Sequence, residues 1–250
     1  MTFKTVAIVL NPSRVGAIAA PGRVDVEVFR KPSVAILSTG NEIVEPGTAL
    51  EPGQIHDINR YTLSTIVAEH GGVPVTYQTA LDTLEDLERA IDRCLGEDIM
   101  VFSGGSSVGE RDLILGVIGR RGEIVFHGIA VKPGEPTVFG VIADPAGVRN
   151  AGLSDFMPIE RVHVARPCAS SHGASARASD AHRAGAGDAA LVSTTGRHQF
   201  YTVRVVDGEA QPAFKASGDI TSMSQADGYI EIPAQTDIVE AGELVDVKLF

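Results

Sequence analysis

IMVFSGGSSVG, residues 99–109, decides how this chain is read. Four apolar residues, Ile99, Met100, Val101 and Phe102, run into a loop of glycine and serine. A second apolar run, Leu113, Ile114 and Leu115, follows it. A short continuous apolar run bounded by glycine fits a strand buried on both faces of a parallel sheet. The loop after it is too polar to be packing material. Gly104 and Gly105 let the backbone approach a ligand closely, and Ser103, Ser106 and Ser107 add hydroxyls. Successive amides ahead of a helix start form an anion-binding nest. The loop lacks the GK[ST] ending of a Walker loop and is not GxGxxG. On chemistry alone it reads as a phosphate or oxyanion cradle, with an ordinary strand-to-helix turn as the alternative.

The same pattern occurs upstream. SVAILS, residues 33–38, is another short apolar run, and it ends on Thr39 and Gly40. NRYTLSTIVAEHGG carries Leu63, Ile66 and Val67 at helical spacing and stops at glycine. VPVTYQTA is strand-like. TLEDLERAIDRCLG is the clearest helix: Thr83 and Asp86 make a capping box, and Leu84, Leu87, Ile91 and Leu95 make a stripe. LILGVIGRRG reads as a short helix, and EIVFHGIAVKPGEPTVFGVI as two short strands around a KPGEP turn. Strand alternating with helix predicts a doubly wound α/β domain, with a mostly parallel sheet between two helical layers, over residues 32–144. Such sheets bind ligands beyond the carboxyl ends of their strands. STGNE (38–42) and SGGSSVG (103–109) should therefore line one crevice.

The flanks differ. Residues 1–31 are weakly patterned, with one alternating strand expected over 24–29, and read as the remnant of another domain or a linker. Residues 191–250 hold short strands separated by turn signals, among them Asp207-Gly208, and predict a small all-β domain. Residues 145–190, rich in Ala, Arg, Ser and His, show no sustained period. A linker that long inside a compact protein is unusual.

The chain has 250 residues, 44% of them hydrophobic, and a formal net charge of −11. That balance excludes a disordered chain and argues against a general binder of nucleic acid or anionic membrane. No apolar run approaches the roughly 18–20 residues that cross a bilayer. No signal peptide is read at the start. Two cysteines, Cys94 and Cys168, make neither a disulfide framework nor a zinc site, so a cytoplasmic setting is expected.

Carboxylates cluster around the expected crevice. Glu42 follows the first strand, Asp112 follows the glycine loop, and Asp57 and Asn59 sit at a helix start. Taken alone, Asp57 reads as a helix N-cap. Beside a phosphate cradle, three carboxylates offer hard oxygens to Mg2+. Lys132 is the cationic counterpart, with a solvated surface lysine as the alternative.

KPSVAILSTGNEIVEPG, GQIHDINRY, VFSGGSSVGERD and FHGIAVKPGEPTVFG, in that order, resemble the molybdopterin molybdenumtransferase family, whose eukaryotic counterpart is the E domain of gephyrin. FYTVRV, ADGYIEIP and AGELVDVKLF resemble its C-terminal β domain. The resemblance covers residues 10–143 and 191–250. It implies insertion of molybdate into adenylylated molybdopterin with release of AMP, assisted by Mg2+. It makes Glu42 and Asp112 the functional acids and metal ligands. It places Thr39, Gly40, Asp57 and Asn59 in the cleft. Ser103, Gly104, Gly105, Ser106, Ser107 and Gly109 cradle a phosphate, and Lys132, Pro133, Gly134 and Pro136 border the molybdate site. It also implies a homodimer built through further N-terminal domains.

Three departures stand out. The family is longer at its N-terminus, where two further domains build the dimer and part of the cleft, and residues 1–31 are expected to be only a remnant of them, an N-terminal truncation that counts against the dimer. The family usually shows KPGKP, and here the second lysine is Glu135, an acid that would repel an oxyanion. The family also has a PVFGLPG-type motif where residues 145–190 lie. Read one nucleotide later, with permitted codons, residues 147–153 become Ser-Gly-Thr-Pro-Val-Phe. Residues 157–164 become Cys-Pro-Ser-Ser-Val-Ser-Met, residues 184–190 become Leu-Ala-Arg-Ala-Thr-Arg-Arg, and the register returns at Leu191. The expectation is a pair of compensating frameshifts near residues 144–147 and 190–191. Three functional readings follow: the molybdenum-inserting enzyme, a non-catalytic molybdopterin-binding remnant, and an adenylyltransferase-like protein. The β tail argues against the last.

Overall fold

The computed structural model describes residues 10–104, 113–132, 137–143, 149–154, 181–187, 190–193, 196–213 and 224–250. The chain divides into two compact units.

In the first unit, helix α1 (Pro12–Ala19) precedes β1 (Ser33–Ser38), β2 (Ile43–Val44), β3 (Ile55–His56) and α2 (Asn59–Glu69). Next come β4 (Val73–Thr76), α3 (Leu84–Cys94), β5 (Ile99–Ser103), α4 (Leu113–Arg121) and β6 (Gly122–His127). After β7 (Val131–Lys132), which belongs to the second unit, the first unit adds β8 (Val138–Ala143) and β9 (Arg149–Ser154). The main sheet runs β4-β1-β5-β9-β8-β6. β4, β1, β5 and β9 are parallel, and β8 and β6 close one side antiparallel. β2 and β3 pair separately in parallel.

Alternation along β1 makes the three layers. Val34 and Ile36 point to α2 and pack with Leu63, Val67 and Val101. Ala35 and Leu37 point the other way, into a core with Leu87, Ile91, Phe102, Ile114 and Val117 that joins α3 and α4. Full burial of each large apolar side chain contributes about 1.5–3 kcal/mol. The doubly wound, mostly parallel sheet expected from the sequence is the fold observed. At the start of α3, the Thr83 hydroxyl accepts from the Asp86 amide at 3.2 Å, the forward half of the capping box read in the sequence, and donates to the Asp86 carboxylate at 2.8 Å, while the Thr83 amide donates to the Leu81 carbonyl instead of to Asp86.

Cys94 is fully buried under this helix, and burial pushes its thiol up to about 12. With Cys168 replaced by serine, folded protein should resist maleimide at mildly alkaline pH and react at once in denaturant. Rapid labelling of the native chain would contradict this packing.

The second unit contains β7, β10 (Ala181–Ala186), β11 (Leu191–Val192), β12 (His198–Val206), β13 (Glu209–Pro212), β14 (Gly228–Ile232), β15 (Ile238–Val239) and β16 (Leu244–Leu249). Its sheet runs β13-β10-β16-β14-β12-β7, and β13 also pairs with β12, so five strands close on themselves. Val203, Ala210, Ile230, Ile232 and Val247 fill the interior. Asp207 (φ 51°) and Gly208 (φ 83°) make the turn between β12 and β13 that their dipeptide announced.

The structure differs from the sequence reading near the start. Residues 24–29 form no strand, and Val24, Val28 and Phe29 are exposed. Alternation gives a strand only where another strand offers its backbone, and among the described residues none pairs with this stretch. A helix unforeseen in the sequence, α1, forms instead just upstream. The Asn11 side chain accepts from the Arg14 amide at 2.9 Å, and Pro12 occupies the first turn, where its missing N–H is no loss. Within the stretch read as irregular, Arg149–Ser154 joins the first sheet and Ala181–Ala186 the second.

Candidate functional site

The carboxyl ends of β1 and β5 and the connection after β4 are joined by backbone hydrogen bonds. The Thr39 amide donates to the Ser103 carbonyl at 2.8 Å. The Gly40 amide donates to Ala80 at 3.1 Å, and the Ala80 amide to Ser38 at 3.0 Å. Thr39 and Ala80 form a parallel bridge. Two of the strand-end loops that the sequence placed around one crevice therefore meet here, with a third beside them.

Glycine is required where these loops touch. Gly104 has φ +108°, and a Cβ there would lie 2.1 Å from the Thr39 carbonyl oxygen. Gly104→Ala should lower stability by about 2 kcal/mol or more, from the strained φ and the backbone clash together. Denaturant midpoints of the two proteins measure this, and an unchanged midpoint would contradict the close approach.

Polar groups line the joint. Ser103 is buried, and its hydroxyl accepts from the Asn59 side-chain amide at 2.6 Å, fixing the first residue of α2 to the end of β5. The hydroxyls of Ser38 and Thr39 are buried and, among the described residues, have no hydrogen-bond partner. A buried hydroxyl left unbonded costs about 1–3 kcal/mol, so such groups mark a place where a ligand or water completes the bonding.

Asp57 is 2% exposed. One carboxylate oxygen accepts from the Arg60 amide at 3.1 Å. The other lies 3.0 Å from Arg60 Nε, an ion pair set out of line for a hydrogen bond. The helix-cap reading of Asp57 is thus what its contacts support, one residue ahead of the usual position: Ile58 is the formal cap and carries no capping side chain.

The acids at the surface of the joint are Glu42 and Asp82. Glu42 is exposed and its carboxylate lies near Gly40. Burial, and after it the Glu42 charge, push the Asp82 carboxyl above the usual range, while the Asp82 amide donates to the Asn41 side chain at 3.1 Å. The two carboxylates supply hard oxygen atoms on neighbouring connections. Asp82 was missed in the sequence, although it follows β4 as Glu42 follows β1. The strand-end rule finds it when applied to the third strand.

The sequence-derived residues divide as follows. Thr39, Gly40 and Glu42 follow β1, Ser103 and Gly104 end β5, and Asp57 and Asn59 stand at the start of α2, where Asn59 reaches Ser103, all in the first unit. Asp112, Gly105, Ser106, Ser107, Gly109, Pro133, Gly134 and Pro136 lie outside the described residues, as does Glu135. Lys132 is half-buried in β7 of the second unit, opposite Gln199 of β12. No group of three metal-ligating side chains occurs among the described residues. No helix among them is long and apolar enough to cross a membrane.

Residues 35–154 match the model of a probable molybdopterin binding domain, and residues 188–250 match the MoeA C-terminal region, domain IV. Molybdopterin molybdenumtransferase 2 of Mycobacterium tuberculosis is 29% identical over 252 residues, 96% of this chain and 62% of that protein. The molybdopterin molybdenumtransferase of Haemophilus influenzae is 35% identical over 132 residues, 52% of this chain and 33% of its own length. The crystal structure of the molybdopterin biosynthesis MoeA protein from Pyrococcus horikoshii superposes with a TM-score of 0.76 at 36% identity, over 96% of this chain and 60% of that one. The chain thus spans about three fifths of the length of the relatives it matches end to end. The chain therefore joins a domain of the probable molybdopterin binding family to a MoeA C-terminal region, and aligns along 96% of its length with a molybdopterin molybdenumtransferase.

Proposed function

We propose that this chain inserts molybdate into adenylylated molybdopterin and releases AMP. The observation that carries the reading is the carboxylate pair Glu42 and Asp82, set beside the unpartnered hydroxyls of Ser38 and Thr39 where three strand-end connections meet. The serine and glycine of the β5 end hold the phosphate side of the substrate, with the Ser103 hydroxyl oriented by Asn59. Ser38 and Thr39 complete their hydrogen bonding on the bound nucleotide or its water.

The donor set suits Mg2+. Glu42 and Asp82 supply hard oxygens, and a divalent cation would offset the burial and, after it, the Glu42 charge that raise Asp82. The resemblance adds Asp112 as a further ligand. When bound, Mg2+ supplies neutralisation of the negative charge that develops as the phosphoanhydride breaks. The chain's own part is to orient the pterin nucleotide and to place both carboxylates beside it. The dithiolene chemistry belongs to the cofactor. A cytoplasmic setting and a homodimer are part of the same proposal, supported by the free buried thiol of Cys94 and by the family resemblance.

Incubation with adenylylated molybdopterin, molybdate and Mg2+, followed by transfer of the product to a molybdenum-free molybdoenzyme, tests the reading. Recovery of that enzyme's activity is the expected result. Saturable binding of the pterin nucleotide without recovery would make the chain a binding module.

A further inference from the structure

Arg60 is a buried charge that the proposed reaction does not use. It is 8% exposed and sits on the inner face of α2, one turn before Leu63 and two before Val67. Its guanidinium reaches three separate connections. One Nη donates to Glu45, just after β2. The other donates to Thr79 Oγ1 at 2.8 Å, in the connection after β4. Nε faces Asp57 at 3.0 Å, just before α2, and the Arg60 amide bonds the same carboxylate.

A residue of the site lies within three positions of each contact or of Arg60 itself. Glu42 lies three positions before Glu45, Asp82 three positions after Thr79, and Asn59 is the neighbour of Arg60 itself. We propose that Arg60 is a positioning residue: a three-armed clamp that fixes the Glu42–Asp82 spacing and the Asn59–Ser103 bond without touching substrate. The proposal rests on the reading of the site given above. The side-chain type fits the task. A planar guanidinium offers five donors in fixed directions and stays ionised, whereas lysine is a single point charge that cannot serve three directions at once. The burial fits as well. Asp57 and Arg60 neutralise one another, so neither is left as an isolated charge in the interior.

Arg60→Met would strand Asp57 without a cation and is a poor test, since the variant can fail to fold. Thr79→Val removes one arm at nearly constant volume, and Arg60→Lys keeps the charge while losing the fork. In both variants kcat for AMP release should fall by about tenfold or more, because small misplacement of reacting groups is costly. KM for the pterin nucleotide should change less, within about twofold, since Arg60 reaches the phosphate cradle only indirectly, through the Asn59–Ser103 bond. Amide hydrogen exchange should accelerate together at residues 41–45, 57–60 and 78–82, while the β1 and β5 core amides hold their protection.

Unchanged kcat with loosened connections would overturn the proposal. So would exchange that accelerates across the whole unit, which would make Arg60 a general stabilising residue. If the unmodified chain releases no AMP, the functional reading fails on its own. Hydrogen exchange then decides the clamp: acceleration confined to the three connections supports it, and no change or a uniform change refutes it.

Discussion

Asp82→Asn should cut AMP release by about a hundredfold or more and, at neutral pH, raise the melting temperature of the metal-free chain. The first effect follows from removing one of the two carboxylates that face the cation site. The second follows from linkage. Burial, and then the Glu42 charge, raise the Asp82 carboxyl in the folded chain. The folded state therefore binds this proton more tightly than the unfolded state. The stability so gained is full below the unfolded pKa and is lost as pH rises through the folded pKa. At neutral pH Asp82 is ionised against its environment, and asparagine removes that cost. The melting temperature of the parent chain relative to the variant should thus fall as pH rises through the carboxylate range. Added Mg2+ should reverse the order, stabilising the parent and leaving the variant nearly unchanged. A variant that is less stable at neutral pH without metal would contradict the strained-pair account. Glu42→Gln should behave alike, since it removes the charge that acts on Asp82.

The second large effect concerns β9. This strand lies between β5 and β8, inside the sheet rather than at its edge. Its neighbours IMVFS and VFGVIA are mostly apolar runs, as strands covered on both faces must be. β9 itself reads RNAGLS, with one large apolar residue in six. The reading one nucleotide later puts Thr-Pro-Val-Phe there. A chain carrying that shifted reading across residues 147–190 should therefore be more stable, by about 1.5–3 kcal/mol for each large side chain it buries. Denaturant unfolding of the two chains measures the difference, and sequencing the gene across codons 135–195 reads the frame directly. Equal midpoints, or a gene whose codons forbid the shift, would end the idea.

Much of the first unit was legible because its signals are strong and local. β1 and β5 announce themselves as short apolar runs ending on Ser38-Thr39-Gly40 and Ser103-Gly104, and α3 by its stripe and its Thr83–Asp86 cap. The Asp207-Gly208 turn was fixed by the backbone it demands. The failures are those of non-local structure. Residues 24–29 alternate correctly, but alternation does not supply a partner strand. Asp82 was hidden because it reads as the start of a helix, and its pairing with Glu42 arises only when two connections 40 residues apart meet. Arg60 was not singled out in the sequence, although its spacing to Leu63 and Val67 places it on the buried face. β9 and β10 carry weak patterns of their own and take their pairing from established neighbours.

Single-turnover release of AMP from adenylylated molybdopterin, with and without molybdate, by the unmodified chain and by Glu42→Gln, tests the central claim most directly. The account predicts AMP release that requires molybdate and Mg2+ in the unmodified chain and is nearly absent in Glu42→Gln, with nucleotide binding retained in both. Tight binding by both proteins with no release by either would contradict it.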